Sequence, residues 1–381
     1  MRKIFNVELG TWIACLIAIL LFGRWALRPI EVNEDFIVWV WLGLSGSAWY
    51  LSYWGTRYTA KQKIPPASDD VGSSNIDSRQ KQPQTPIINL WSSWGLAFCL
   101  TGGLARDTWS LDLPHGILIM QMGILLNTQS IHQDLSAFNQ KFDWARLLTL
   151  VSVFISLLFG VVPLPGLEQS DPMAVLFGLP ITLMFVTAFL DFYNFMGSVD
   201  GLVTGTAIIQ TIFLAIYLDQ PALIFLPVAL IGFLPWNWPP AKVVIGKTGN
   251  NALGLLVAVI LLNGDPVDLF DTSPELFWSA IAVTFPLMGD ATYTAIRRLL
   301  RGEDFFRIRK SRILHLYQRL QQAGWSDQKI ALTYAGMTGV IALLVYQFNL
   351  VGSAIAALLT LLSIITAELY LKQSGTVKPR A

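Results

Sequence analysis

The sequence contains few charged residues for its length. Charged residues make up 13% of its 381 residues, whereas hydrophobic residues make up 54%. About a quarter of a typical soluble domain is charged, so this composition excludes an ordinary soluble domain. The mean hydropathy is +0.53, and several apolar runs are long enough to cross a hydrocarbon core of about 30 Å as helices. We therefore predict an all-α polytopic membrane protein.

Cysteines and basic surfaces are also scarce, which excludes further classes of protein. Cys15 and Cys99 lie in apolar runs, so we interpret them as small apolar residues rather than as a disulfide or a metal site. The net charge is +1, and no basic-aromatic surface indicates a nucleic-acid partner. The lipid bilayer is the first partner that the composition predicts.

The apolar runs predict about 11–12 transmembrane helices in one bundle. The runs lie near 11–27, 36–54, 87–105, 114–127, 145–164, 173–190, 202–218, 221–236, 251–263, 276–293, 330–347 and 350–371. Most of the gaps contain Pro, Gly or Asn, as expected where helices end.

The distribution of Lys and Arg predicts the orientation of the bundle. Of the 26 Lys and Arg residues, 22 fall in one set of alternate loops that includes both termini. The positive-inside rule places that set, and therefore both termini, on the cytoplasmic side. We divide the chain into an N-terminal transmembrane hairpin (1–54), a mobile, polar cytoplasmic loop (55–86), a main transmembrane domain (87–372) and a tail (373–381).

Four polar segments are predicted to face the cytoplasm together: 127–143, 191–205, 237–251 and 297–320. Each has an ordinary explanation, as a solvated loop, as turn glycines or as arginines beside lipid headgroups. Segment 191–205 is the most unusual, because it places an Asn and an Asp among glycines at a membrane boundary. Together, the lysines, arginines and glycine-rich backbone favour the binding of phosphate or diphosphate.

Three stretches within these segments resemble the signatures of one family. Residues 193–202 read YNFMGSVDGL and resemble YNFMDGIDGL of the polyprenyl-phosphate N-acetylhexosamine-1-phosphate transferases. Residues 232–250 read GFLPWNWPPAKVVIGKTGN and are similar to GFLxxNxxPAKIFMGDxGS of that family. Residues 290–326 resemble its DAxxTLxRRxxRGE…HRSHLYQRLxxAGxS pattern, and order and spacing agree across roughly residues 85–372. This family is the membrane glycosyltransferase family 4, which is related to phospho-N-acetylmuramoyl-pentapeptide transferase.

The resemblance implies a reaction and a set of site residues. Such enzymes transfer a sugar 1-phosphate from a UDP-sugar to polyprenyl phosphate at the cytoplasmic membrane of bacteria, in cell-envelope glycan synthesis, and they require Mg²⁺. By matching positions, the catalytic candidates are Asp200 and His315, and Asp200 is also the remaining candidate metal ligand. The candidate substrate-binding residues are Asn194, Lys242, Lys247, Arg298 and Arg301.

This chain departs from the family pattern at four positions that carry carboxylates in the family. Gly197 stands for the first Asp of the signature, and Lys247 stands for the metal-ligating Asp. Asn127 and Thr128 align with a pair of adjacent Asp residues. An ammonium group cannot replace an oxygen ligand of Mg²⁺. The sequence therefore predicts a member whose Mg²⁺-dependent activity is weak or lost.

Two alternatives of other classes stay open at this point. One is a non-catalytic homologue that binds polyprenyl phosphate or a partner envelope-glycan enzyme. The other is a transporter, against which the scarcity of charged residues deep within the spans argues. The sequence leaves the sugar and the oligomeric state open, including a homodimer.

Overall fold

The computed structural model describes residues 42–43, 45–46, 48–50, 52–57, 172–218, 221–262, 274–300 and 314–374. This part of the chain is almost entirely helical. Its helices are α1 (Pro172–Met196), α2 (Leu202–Tyr217), α3 (Phe225–Asn237), α4 (Gly246–Leu262), α5 (Pro274–Ala280), α6 (Phe285–Leu300), α7 (Leu316–Gln322) and α8 (Asp327–Gln373). The 3₁₀ turns Pro221–Ile224 and Ile281–Thr284 lead into α3 and α6. The prediction of an α-helical fold is confirmed for these residues. The spans predicted before residue 172, apart from the helical residues within 42–57, lie outside them.

Helix α8 consists of two arms, although its helical hydrogen bonding continues across the junction. Asn349 has φ 47° and ψ −123°, which are not helical values. The two ends of α8 meet, because the ring of Trp325, just before the helix, lies 5.9 Å from the ring of Tyr370. The arms are therefore antiparallel, and the break coincides with the predicted gap between the spans 330–347 and 350–371. Each arm exceeds about 20 residues, the length that crosses ~30 Å.

The outer surface of α8 is apolar. Its most apolar window has a mean hydropathy of 2.2, and 22% of that window is buried. Leu343 is 71% exposed and Val351 is 64% exposed. Large contiguous apolar surfaces are unusual on soluble monomers, so these faces favour lipid as the surrounding medium.

Several helices continue beyond the apolar runs that predicted them. Helix α1 extends to Met196, α4 begins at Gly246 instead of residue 251, and α6 extends to Leu300. An apolar run marks the part of a helix that avoids water, whereas helical hydrogen bonds can continue into polar residues. Polar residues that were expected in loops therefore lie on the final or first turns of helices.

Close helix contacts hold the bundle together. Helix α4 approaches α1 so closely that a Cβ on Gly254 would lie 2.7 Å from the Phe189 carbonyl oxygen. Helix α3 packs against the N-terminal helical residues, where the Ser52 hydroxyl donates to the Ala229 carbonyl at 2.7 Å. These contacts align the ends of the helices that form the site.

Candidate functional site

The turn between α1 and α2 is the centre of the candidate site. Gly201 begins α2 with φ 73°, a left-handed conformation that favours glycine. A Cβ at this position would lie 3.0 Å from the Pro239 ring, so glycine also permits the close approach of the α3–α4 loop. The turn and that loop are therefore packed directly against each other.

Two polar side chains join this turn to the α3–α4 loop. The Asp200 carboxylate accepts the backbone N–H of Ala241 at 3.1 Å. Asn237 is 4% exposed; it accepts the Thr204 hydroxyl at 2.6 Å and donates to the Val243 carbonyl at 3.0 Å. These bonds fix the backbone beside Lys242, which is exposed and carries its ammonium 5.7 Å from the centre of the Trp236 ring.

The same turn contacts the segment that contains His315. The Tyr317 hydroxyl donates to the Phe195 carbonyl at 2.7 Å and forms a second hydrogen bond with the Ser198 hydroxyl. The ring centres of Phe195 and His315 lie 5.3 Å apart. The structure therefore brings together three of the four predicted polar segments at one end of the bundle.

His315 lies in this contact as a buried imidazole. It is 6% exposed, and its Nδ1 has no hydrogen-bond partner. Its Nδ1 lies 3.9 Å from Oδ1 of Asp290. Burial lowers the pKa of His315 below its ordinary value; Asp290 opposes this shift and Arg298 adds to it. His315 is therefore neutral at neutral pH.

Asp290 organises the His315 segment, although it was not among the predicted site residues. It is 2% exposed and accepts the backbone N–H groups of Leu316 at 2.8 Å and Tyr317 at 3.2 Å. It also accepts the hydroxyls of Tyr334 at 2.6 Å and Thr294 at 3.3 Å. A carboxylate at the N-terminus of α7 satisfies the unpaired N–H groups there. A signal was present in the sequence, because an Asp within an apolar run requires partners.

A second charged cluster, the Glu368 clamp, is formed by Glu368, Arg319, Tyr293 and Arg297. Arg319 makes a two-pronged ion pair with Glu368, and the Tyr293 hydroxyl donates to the same carboxylate at 2.5 Å. The Arg297 guanidinium lies 3.7 Å from it. The clamp connects α6, α7 and the second arm of α8, and so fixes the position of α7.

The structure describes only some of the remaining predicted residues. Asn194 is half-buried in the last turn of α1, and Arg298 is half-buried near the end of α6. Lys247 lies in the first turn of α4, but its side chain is outside the described part of the structure. Arg301 and positions 127 and 128 are also outside it.

The described residues do not offer the ligands that Mg²⁺ prefers. Mg²⁺ takes oxygen ligands in a near-octahedral arrangement and commonly uses one or two carboxylates. Within the described ranges, no group of three or more His, Cys, Asp or Glu residues could hold a metal ion. Asp290 already accepts four hydrogen bonds, and one oxygen of Asp200 is bonded to Ala241. Asp200 alone does not form a Mg²⁺ site, so the described residues do not by themselves fit the ion.

Comparisons with known proteins agree with the motif pattern. The family model described as glycosyl transferase family 4 matches residues 97–265. Decaprenyl-phosphate N-acetylglucosaminephosphotransferase of Mycobacterium leprae is 27% identical over 274 residues, which are 64% of this chain and 60% of that protein. Phospho-N-acetylmuramoyl-pentapeptide-transferase of Chlorobium phaeobacteroides is 26% identical over 211 residues, covering 49% and 55%. The enzyme of that name from Nostoc is 29% identical over 188 residues, covering 48% and 49%. The chain thus spans less than two thirds of the length of each of these relatives.

Proposed function

We propose that this chain, which belongs to glycosyl transferase family 4, binds a UDP-sugar and polyprenyl phosphate, and that its Mg²⁺-dependent sugar-1-phosphate transfer is weak or lost. The relatives are named as transferases of sugar phosphates, one of them acting on decaprenyl phosphate. We place the protein in the bacterial cytoplasmic membrane as a multi-pass bundle, with the site at the cytoplasmic face.

The observation that carries this proposal is that the α3–α4 loop and the segment of His315 both contact the α1–α2 turn. Hydrogen bonds hold Asp200 against the loop of Lys242, and Tyr317 against the turn itself. A substrate at this end of the bundle would meet an exposed ammonium and a fixed carboxylate, whereas the neutral imidazole of His315 is buried. Lys242 would contact a phosphate group as a point charge.

The same geometry explains why we expect poor catalysis. Phosphoryl transfer depends mainly on positioning and on stabilising charge at the transferring group, which Mg²⁺ ordinarily provides. Gly197 offers no ligand, and position 247 carries a cation where the family pattern has a carboxylate. No step that passes through the metal can be assigned to the described residues.

A turnover assay tests this proposal. Purified protein is incubated with UDP-N-acetylglucosamine, undecaprenyl phosphate and Mg²⁺, and UMP release is measured beside an active family member as a positive control. We expect little or no UMP release together with measurable binding of the UDP-sugar. Turnover at a rate similar to that of the active enzyme would overturn the prediction of weak activity.

The second candidate function is that of a non-catalytic homologue that binds polyprenyl phosphate or a partner envelope-glycan enzyme. The Glu368 clamp and the Asp290 bonds favour it, because they hold the site in order although Gly197 stands where the family pattern has a carboxylate. Mass spectrometry of lipids that co-purify with the protein tests this candidate, and the UDP-sugar binding measured above separates it from the first. Bound polyprenyl phosphate without any turnover would support the binder, whereas an inactive and lipid-free protein would contradict it.

A further inference from the structure

Gly197 and Asn250 occupy one space in the structure. Gly197 lies in the exposed α1–α2 turn, and Asn250 lies in the first turns of α4. A Cβ built on Gly197 would overlap the Asn250 carboxamide: Nδ2 would be the atom nearest to it, and it would lie 2.7 Å from Cγ and 3.2 Å from Oδ1. No side chain fits at position 197 while Asn250 keeps this conformation. The Asn250 carboxamide of α4 therefore lies where a side chain of residue 197 would lie.

The Asn250 carboxamide is also incompletely bonded. Asn250 is 3% exposed, and its Oδ1 is buried without a hydrogen-bond partner. Buried polar atoms in proteins nearly always have a partner, so an unpaired acceptor calls for an explanation. The carboxamide lies against Gly197 with Nδ2 nearest to the position of a Cβ there, and Oδ1 is 3.2 Å from that position. A rotation of the carboxamide would bring Oδ1 to an O–H or N–H donor of a ligand bound at the turn.

Two positive features near this pair favour an anionic ligand, although the Asp200 carboxylate lies on the same turn. The first turn of α4 carries N–H groups without helical partners and the positive end of the helix dipole. Such a helix end stabilises phosphate directly. An amide at this position carries no negative charge, so it does not repel phosphate as a carboxylate would. Lys242 adds an exposed ammonium in the neighbouring loop.

We propose that this site binds the sugar diphosphate without a divalent cation. The neutral Asn250 side chain accepts a hydrogen bond from the ligand. The inference rests on the proposed function for the identity of the ligand, a UDP-sugar. It goes further in assigning Asn250 as a binding residue and in predicting that binding is independent of Mg²⁺. Gly197 is then required because Asn250 occupies its side-chain volume.

The first test is a binding titration with UDP-N-acetylglucosamine, carried out on the full-length protein in detergent. One sample contains Mg²⁺ and the other contains EDTA. We expect dissociation constants that agree within about twofold. Binding in Mg²⁺ but not in EDTA would overturn this inference and leave the proposed function standing. No binding in either sample would overturn both.

The second test is a double-mutant cycle on Asn250 and Gly197. Asn250→Ala removes the acceptor and should weaken binding about fivefold, the effect of one ordinary hydrogen bond. Gly197→Ala should weaken binding similarly, because the new methyl group displaces the carboxamide. The double variant should be no weaker than either single variant, since both changes remove the same contact.

A matched control is available at the next position. Asn251 lies on the same turn of α4, and Asn251→Ala should leave the affinity unchanged. Each variant is first checked for folding by size-exclusion chromatography. Additive losses in the double variant, or an equal loss in Asn251→Ala, would refute the role assigned to Asn250.

Discussion

Replacing Asp290 should destabilise the protein more than replacing any single hydrogen-bonded neighbour. Besides the longer bond from Thr294, Asp290→Ala removes the acceptor of three buried donors: the N–H groups of Leu316 and Tyr317 and the hydroxyl of Tyr334. Each unpaired group costs roughly 1–3 kcal/mol. The adjoining cavity of about 280 Å³, lined by Asp290, Tyr334 and Trp325, can admit water to these groups and reduce the loss. We expect the free energy of unfolding to fall by about 3 kcal/mol, at the lower end of the sum.

Asp290→Asn should have an intermediate effect. It keeps the shape of the side chain but places an amide NH₂ near one of the two groups that bond to Oδ2. The Tyr334 hydroxyl can rotate and accept a hydrogen bond, whereas the Tyr317 N–H cannot. One unpaired backbone donor costs about 1–2 kcal/mol.

Thermal or chemical unfolding in detergent, followed by tryptophan fluorescence, measures these differences. Thr294→Val is the matched control, since it removes a longer bond of 3.3 Å to the same carboxylate and should cost under about 1 kcal/mol. The reasoning fails if Asp290→Ala lies within about 1 kcal/mol of the wild type. It also fails if the Thr294 variant is equally destabilised.

Two further predictions concern acid stability and helix packing. The pKa of His315 is lowered in the folded protein, so the unfolded chain takes up the proton first as the pH falls. The free energy of unfolding should therefore decrease below about pH 6.5. His315→Gln should reduce this slope in unfolding curves measured between pH 7.5 and 5, and an unchanged slope would contradict the assignment. Gly254→Ala places a methyl group 2.7 Å from the Phe189 carbonyl oxygen and should cost about 1–2 kcal/mol despite its better helix propensity. Gly336→Ala, which meets nothing within 4 Å, is the control and should be neutral or stabilising; equal effects at both glycines would refute the packing argument.

The hydrophobic pattern predicted most of the described helices and the break in α8, but not the short helix α7, which lies where a loop was expected. Runs 330–347 and 350–371 left a gap at Asn349, where the structure has its non-helical residue. The sequence also indicated that four polar segments would meet, because alternate loops lie on one side of a helical bundle; three of them meet in the described part of the chain, and 127–143 lies outside it. Helix ends were less predictable, since Asp191 and Asn194 continue α1 into polar sequence.

The partners of individual side chains could not be predicted from the sequence. Asp290 was visible as an acid within an apolar run, but its four donors come from three different elements. The Gly197–Asn250 pair spans α1 and α4, and no local pattern couples these positions. The pair also shows that Gly197→Asp would require the Asn250 side chain to move, because a Cβ at position 197 would overlap its carboxamide.

The Glu368 clamp has a consequence for the order in which the protein is made. Arg319 leaves the ribosome 49 residues before Glu368, which corresponds to about 2–10 s of synthesis. During that interval α7 lacks the carboxylate that holds it, even though Asp290 has already emerged. We therefore expect the segment of His315 to reach its final position only after the second arm of α8 has been synthesised. A nascent chain interrupted between the two arms would carry every residue of the α1–α2 turn with an incompletely anchored α7.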